Sequence, residues 1–367
     1  MSRSRFLPDN FTLSLLATVA LASLLPASGS VARAFEWVTT GAIALLFFLH
    51  GAKLSREAVV AGLMHWRLHL VVVGTTFVLF PALGLLLKPL LLPLVTPALY
   101  TGVLYICVLP ATVQSAIALT ALARGNMPAA ICSASASTML GVLITPLLVN
   151  LIVQPGGDAH QSFDAVGRIV LQLMVPFIVG HLMRPLLAST MKRWAPVLRM
   201  VDQSSILLVV YTAFSAAVIE GLWRQVPLRS LAGLLVVCAV LLAIVLTFTT
   251  WTARRLGFSK EDEITIVFCG SKKSLASGVP MAKVLFAAPA VGAIVLPLMV
   301  FHQMQLMVCA VLAQRYARRP DAQPPAALAT PGMGPVPVPV VVPPVPAGRV
   351  VQATEGAAAG NIDKRGL

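Results

Sequence analysis

The chain has 367 residues, 58% of them hydrophobic and only 11% charged, with a formal net charge of +14 and a mean hydropathy of +0.88. A soluble domain carries about 25% charged residues, so this composition excludes an ordinary soluble globular protein. The basic residues sit between apolar runs and form no basic face with interleaved aromatics, which excludes nucleic acid as a partner and makes the charge a matter of membrane topology.

Apolar runs long enough to cross roughly 30 Å of hydrocarbon recur along the chain. They fall at about 11–25, 36–52, 68–87, 97–122, 129–153, 165–187, 203–222, 230–252, 264–285 and 289–314, which predicts ten transmembrane helices. The first follows Arg3 and Arg5 and precedes Pro26-Ala27-Ser28-Gly29. That is the form of a secretory signal, but the charge count favours its retention as a span. With the N-terminus in the cytoplasm, sixteen Lys and Arg residues fall in inside segments and six in outside ones, as the positive-inside rule requires. The expected location is a bacterial inner (plasma) membrane, crossed several times, with both termini cytoplasmic. Ten spans divide into two units of five, and an odd-numbered unit repeated once is inverted in the membrane. Repeat one covers about 10–153 and repeat two about 165–315.

The third span contains Thr75, Thr76 and Pro81, which predict a kink. The fourth is interrupted by Leu109-Pro110-Ala111-Thr112-Val113-Gln114-Ser115. It ends in the tight loop Ala123–Pro128, whose proline suits the first turn of the next helix. The fifth opens with Cys132-Ser133-Ala134-Ser135-Ala136-Ser137-Thr138, where Ser133 and Ser137 share a helical face. That face either packs helices closely through small residues or lines an ion or substrate site.

The ninth span holds the most broken stretch, Ile266–Phe286, with Gly270, Ser271, Lys272, Lys273, Ser274, Ser277, Gly278 and Pro280. Each mid-span lysine costs roughly 2.5–3.5 kcal/mol to insert, and Gly and Pro free backbone groups that lipid cannot satisfy. Such a segment must face a polar cavity inside the protein. The fourth and ninth spans are the Pro- or Gly-interrupted members of their halves, which predicts a midplane site built from two broken helices. In the tenth span His302 and Gln303 are either functional or structural polar groups facing the bundle interior. His50 reads as a hydrogen-bonded helix-end residue or a proton relay, and Asp202 and Glu220 as interface residues or proton carriers.

No G-x-S-x-G, H-E-x-x-H or P-loop pattern and no carboxylate pair within a span occurs, so the protein is not expected to be an enzyme. Cys107, Cys132, Cys238, Cys269 and Cys309 show no pairing pattern, which argues against a disulfide framework or a metal site. After a transmembrane domain over 1–319, residues 320–367 are rich in Pro, Ala, Val and Gly and predict a disordered cytoplasmic tail.

These residues together resemble the bile acid:sodium symporter superfamily. The resemblance rests on Leu109-Pro110, Gln114-Ser115 and Ala123-Arg124-Gly125-Asn126, followed by a serine-rich span and Thr145-Pro146. Phe48–Ser55, Ile131–Ser137 and Phe268–Lys283 look like its bacterial branch labelled sodium-dependent transporters. The resemblance covers about residues 10–315. It implies an all-α polytopic membrane protein of ten transmembrane helices in two inverted five-helix repeats. A core domain of spans 3–5 and 8–10 would contain two crossing broken helices, spans 4 and 9, and spans 1, 2, 6 and 7 would form a panel domain.

The family's sodium ligands carry over imperfectly. Gln114-Ser115 stand one residue away from the place of a Ser-Asn pair. Ala130 and Ala134 fall where fifth-span hydroxyls are used, with Ser133 and Ser137 nearby. Thr76 replaces a glutamine of the third span, and Phe268 and Lys272 replace a glutamate and a glutamine of the ninth. Sodium is therefore a candidate ion without an assigned metal ligand.

The resulting expectation is a secondary transporter of a small organic anion, working by alternating access, with sodium or proton coupling open. The alternative is a membrane regulator of ion homeostasis that transports nothing. The candidate substrate- and ion-binding residues are Thr76, Gln114, Ser115, Ser133, Ser137, Ser271, Lys272, Lys273 and Ser274. The expected partners are the anion and membrane lipid. Lys272 is expected to fill a vacated cation position, bonding Thr76, Gln114 or exposed carbonyls, while Lys273 faces the cleft as an anion anchor. Two alternatives stand beside this: Lys272 loses its proton in one conformation, or both lysines snorkel to the cytoplasmic edge.

Overall fold

The computed structural model describes residues 10–53, 65–153 and 159–319. Arg3, Arg5 and Arg56, used in the charge count, and the tail at 320–367 lie outside the described residues. Within them the chain is helical, without a strand. The helices are α1 Asn10–Leu24, α2 Gly29–Lys53, α3 Trp66–Leu86, α4 Pro97–Val108, α5 Gln114–Leu122, α6 Met127–Val153, α7 Ala159–Arg193, α8 Ala195–Ile219, α9 Leu228–Arg255, α10 Lys260–Gly270, α11 Leu275–Leu285 and α12 Ala288–Ala317.

Among the described residues α2, α3, α6, α8, α9 and α12 are long and apolar enough to cross a membrane, and shorter apolar helices cover Phe11–Leu24, Pro97–Val108 and Leu171–Leu187. The exterior is apolar as well as the core. Leu70, Val78, Leu86, Val236 and Trp251 face outward, while Thr76, Ser137, Lys272, Lys273 and Gln305 are buried. An apolar exterior around polar interior groups is what hydrocarbon selects. The chain is a polytopic, all-α membrane protein.

Local sequence starts several helices. Thr96 caps α4 by accepting the Leu99 amide at 3.4 Å, with Pro97 in the first turn. Asn126 caps α6 by accepting the Ala129 amide at 3.1 Å, with Pro128 in the first turn. Ser259 caps α10, whose first turn carries Glu261, Asp262 and Glu263 against the positive end of the helix dipole. The loop before α6 is docked onto that same end: Asn126 Nδ2 donates to Asp262 Oδ1 at 2.8 Å, and the Asn126 amide donates to Glu261 O at 3.1 Å.

α1, α2, α7 and α8 pack as one group, with α2 against α7 its most extensive contact. That closeness needs two glycines. A Cβ on Gly51 would lie 1.9 Å from Phe177 O, and one on Gly180 would lie 2.0 Å from Phe48 O. α12 packs against α4, α5, α8, α9 and α11, and α10 lies between α3, α5, α6 and α9. The first apolar run, which resembled a secretory signal, packs as α1 against α8 and is tied to α12 by Thr12 Oγ1 donating to Gln303 Oε1 at 2.7 Å.

Candidate functional site

Two helices of the bundle are broken. The first break, residues 109–113, separates α4 from α5; the second, residues 271–274, separates α10 from α11. They meet: the Ser274 amide donates to Pro110 O at 2.9 Å. The backbone groups released at the first break are met by other helices. Thr145 Oγ1 donates to Val108 O at 2.8 Å, and the Ala111 amide donates to Ser137 Oγ at 2.9 Å. Both hydroxyls belong to α6, so the serine-rich span supplies the polar partners that the broken helix lacks.

The second break is held by α12. Gln305 grips the Lys273 backbone from both sides: the Lys273 amide donates to Gln305 Oε1 and Gln305 Nε2 donates to Lys273 O, each at 2.9 Å. His302 Nδ1 lies 3.0 Å from that Nε2. Ser274 Oγ then caps α11 by accepting the Ser277 amide at 3.1 Å.

The Lys273 ammonium crosses to the first half of the chain. It donates to Thr76 O at 2.8 Å, Cys107 O at 3.0 Å and Leu109 O at 2.8 Å, and the Phe80 ring centroid lies 4.0 Å away. Each of the first two carbonyls is available for a sequence reason. In α3 the turn Thr75–Leu79 is π-helical, with the Phe80 amide bonded to Thr75 O. The next donor in that register is Pro81, which has no N–H, so Thr76 O is free. Cys107 O would take the Ala111 amide in a continuous helix, and that amide is drawn away to Ser137. The expected kink at Pro81 is thus a π-turn that presents a carbonyl, of the kind found at functional positions.

Lys272 is also wholly buried, but among the described residues its ammonium has only Ser115 O, at 3.5 Å, beside the Cys269 and Cys309 thiols. Among the described residues no carboxylate forms an ion pair with either lysine. The lysine seated among exposed carbonyls is Lys273, where Lys272 was expected. Neither snorkels, since both are at 0% exposure.

The other candidates are placed as follows. Thr76 contributes its carbonyl, while its hydroxyl turns back to Val72 O at 2.8 Å. Ser271 Oγ likewise donates to Val267 O, at 2.6 Å. Ser115 Oγ donates to Thr112 Oγ1 at 3.0 Å, and Ser133 Oγ lies 2.7 Å from His69 Nδ1. Gln114 is exposed on the first turn of α5 and does not reach the ammonium of Lys273. Phe268 is buried with Ile264, Val267 and Ala313. Gln305 and Phe80 were missed. The signal for Gln305 was its position one turn from His302; Gln303, the more conspicuous neighbour, serves α1.

Two helix breaks that meet inside an apolar-faced bundle define a class, the polytopic membrane protein with discontinuous helices. The chain belongs to the SBF-like CPA transporter family, whose profile matches residues 9–318. It is 68% identical over 321 residues to the uncharacterized protein PA2026 of Pseudomonas aeruginosa, covering 88% of this chain and 96% of that protein. It is 58% identical over 316 residues to Putative symporter YfeH of Escherichia coli, covering 85% and 94%. To Sodium/bile acid cotransporter 7 of Danio rerio it is 30% identical over 309 residues, covering 82% and 91%. The family is one of transporters, not enzymes, and is consistent with the bile acid:sodium symporter resemblance.

Proposed function

We propose that the protein is a secondary transporter that moves a small organic anion across the bacterial inner membrane by alternating access, with both termini cytoplasmic. In this reading ten helical spans form two inverted five-span repeats, α1–α6 and α7–α12, with the broken spans at corresponding places. The group α1, α2, α7 and α8 acts as the panel, and the remaining helices carry the crossing as the core. A groove of about 350 Å³ between α8 and the α4–α12 pair, lined in part by Thr101, Glu220, Gln225 and Pro289, is a place where the two groups would part. The transporter family and the relatives named for symport and cotransport support this reading.

The observation that carries the anion is Lys272. A buried ammonium with a single distant carbonyl is costly unless a counter-charge completes it. An anion that reaches the ammonium supplies that charge, and the first turn of α11 adds a partial positive field. The test is a melting-temperature screen of purified protein against a panel of small organic anions, followed by counterflow of the responding compounds in liposomes. A responding anion should be exchanged by the wild type, and Lys272→Gln should lose both the shift and the exchange while staying folded. The same liposomes, with sodium or a pH gradient imposed, separate sodium coupling from proton coupling. A panel in which no anion shifts the protein or exchanges would contradict the proposal and favour the regulator of ion homeostasis.

A further inference from the structure

We propose that the Lys273 ammonium is a tethered monovalent cation, permanently seated in a carbonyl-lined site that would otherwise accept a free alkali-metal or ammonium ion. An ammonium has three protons to donate, and three main-chain carbonyls lie at 2.8, 3.0 and 2.8 Å. The Phe80 ring closes a further side at 4.0 Å. Rings of main-chain carbonyls are the ligands with which proteins replace the hydration shell of a monovalent cation. Two of these carbonyls, Cys107 O and Leu109 O, lie at the negative end of the α4 dipole.

The site is built by residues other than the lysine. Pro81 frees Thr76 O, Ser137 diverts the amide that would have occupied Cys107 O, and the chain break at Pro110 turns Leu109 O the same way. Gln305 then fixes the Lys273 backbone, so that a flexible stem delivers its charge to one point. A free sodium ion does not fit this crossing as it stands, because the oxygens that would bind it are bonded to the ammonium. One consequence rests on the transporter reading above: solute movement does not require a sodium ion at this place.

The test compares full-length wild type, Lys273→Ala and Lys273→Met. Melting temperature is measured in sodium, potassium, ammonium and methylammonium chloride against choline chloride at constant ionic strength. The wild type should melt at the same temperature in all of them. Lys273→Ala should melt about 10 °C lower in choline and regain at least half of that loss, saturably, with one of the small cations. Lys273→Met fills the same space without charge and should show the loss without the regain. If Lys273→Ala cannot be purified in choline, recovery of monodisperse protein in ammonium or sodium alone supports the assignment, and failure in every salt overturns it. It is also overturned if Lys273→Ala melts like the wild type, or if all three forms respond equally to the salts. A wild type that moves no solute in liposomes would contradict the transporter reading and leave the cation result standing.

Discussion

Around Lys273 each ammonium proton has a carbonyl oxygen within 3.0 Å, and the backbone is held by a glutamine from another helix. Around Lys272, the preceding residue and equally buried, one carbonyl stands at 3.5 Å beside two thiols. Two identical side chains at one depth therefore have opposite energetic roles. A buried charge with all its donors met is part of the architecture, and removing it strands its partners. A buried charge with its donors unmet weakens the architecture.

Substitution at the two positions should break the comparison if it is wrong. Lys273→Met strands three carbonyls at about 1–3 kcal/mol each, and a melting temperature lower by about 10 °C or more is expected. Lys272→Met exchanges an unmet charge for an apolar chain of similar length, and its melting temperature should stay within about 2 °C of wild type or rise. Equal losses in the two variants would show that both lysines are architectural.

The next largest effect is expected at Gln305. Gln305→Leu leaves the Lys273 amide without its partner and its carbonyl with His302 Nδ1 alone, at 3.4 Å, for about 2–4 kcal/mol. Gln303→Leu loses the contact with Thr12, for about 1 kcal/mol. Denaturation of the two variants side by side checks whether α12 supports the break through one face alone; equal costs would contradict that.

Smaller still, Ser137→Ala removes the acceptor of the Ala111 amide and should cost about 1–2 kcal/mol. The freed amide can then compete for Cys107 O, so the variant should also weaken the seat of Lys273. A double-mutant cycle of Ser137→Ala with Lys273→Met measures this coupling, and strict additivity would contradict it. The smallest effect is expected at the partly exposed pair Glu36–Lys283, 3.3 Å apart, which links α2 to α11. Glu36→Gln should change stability by at most about 1 kcal/mol, and less as salt is added.

The places where the bundle breaks were legible in the sequence, because Pro110, Gly270 and the run Ser271–Ser274 interrupt apolar spans in a way lipid does not tolerate. The cap at Asn126 was less so; only the proline of its first turn was read. What sequence could not assign was which lysine takes which role. Residues 271–274 lie in a turn, where helical periodicity no longer fixes direction, and the direction is set by Gln305, more than thirty residues away. The seat itself was hidden for a different reason. It is made of carbonyls, which every residue has, so Thr76 drew notice for its hydroxyl although it acts through its backbone. The missing N–H of Pro81 was the available clue, and it was read as a kink. Phe80, an aromatic at helical spacing, looks from sequence like any core residue.

The most direct test of the division between the two lysines needs neither a known substrate nor a substitution. Full-length wild-type protein in lipid nanodiscs is exposed to formaldehyde and cyanoborohydride, and methylation at 272 and 273 is followed by mass spectrometry with fragmentation that resolves the adjacent residues. Lys272, with a single carbonyl at 3.5 Å, should be modified progressively in the folded protein. Lys273, with its three donors engaged, should remain unmodified until the protein is unfolded. Modification of both at one rate, of Lys273 first, or of neither would contradict the account.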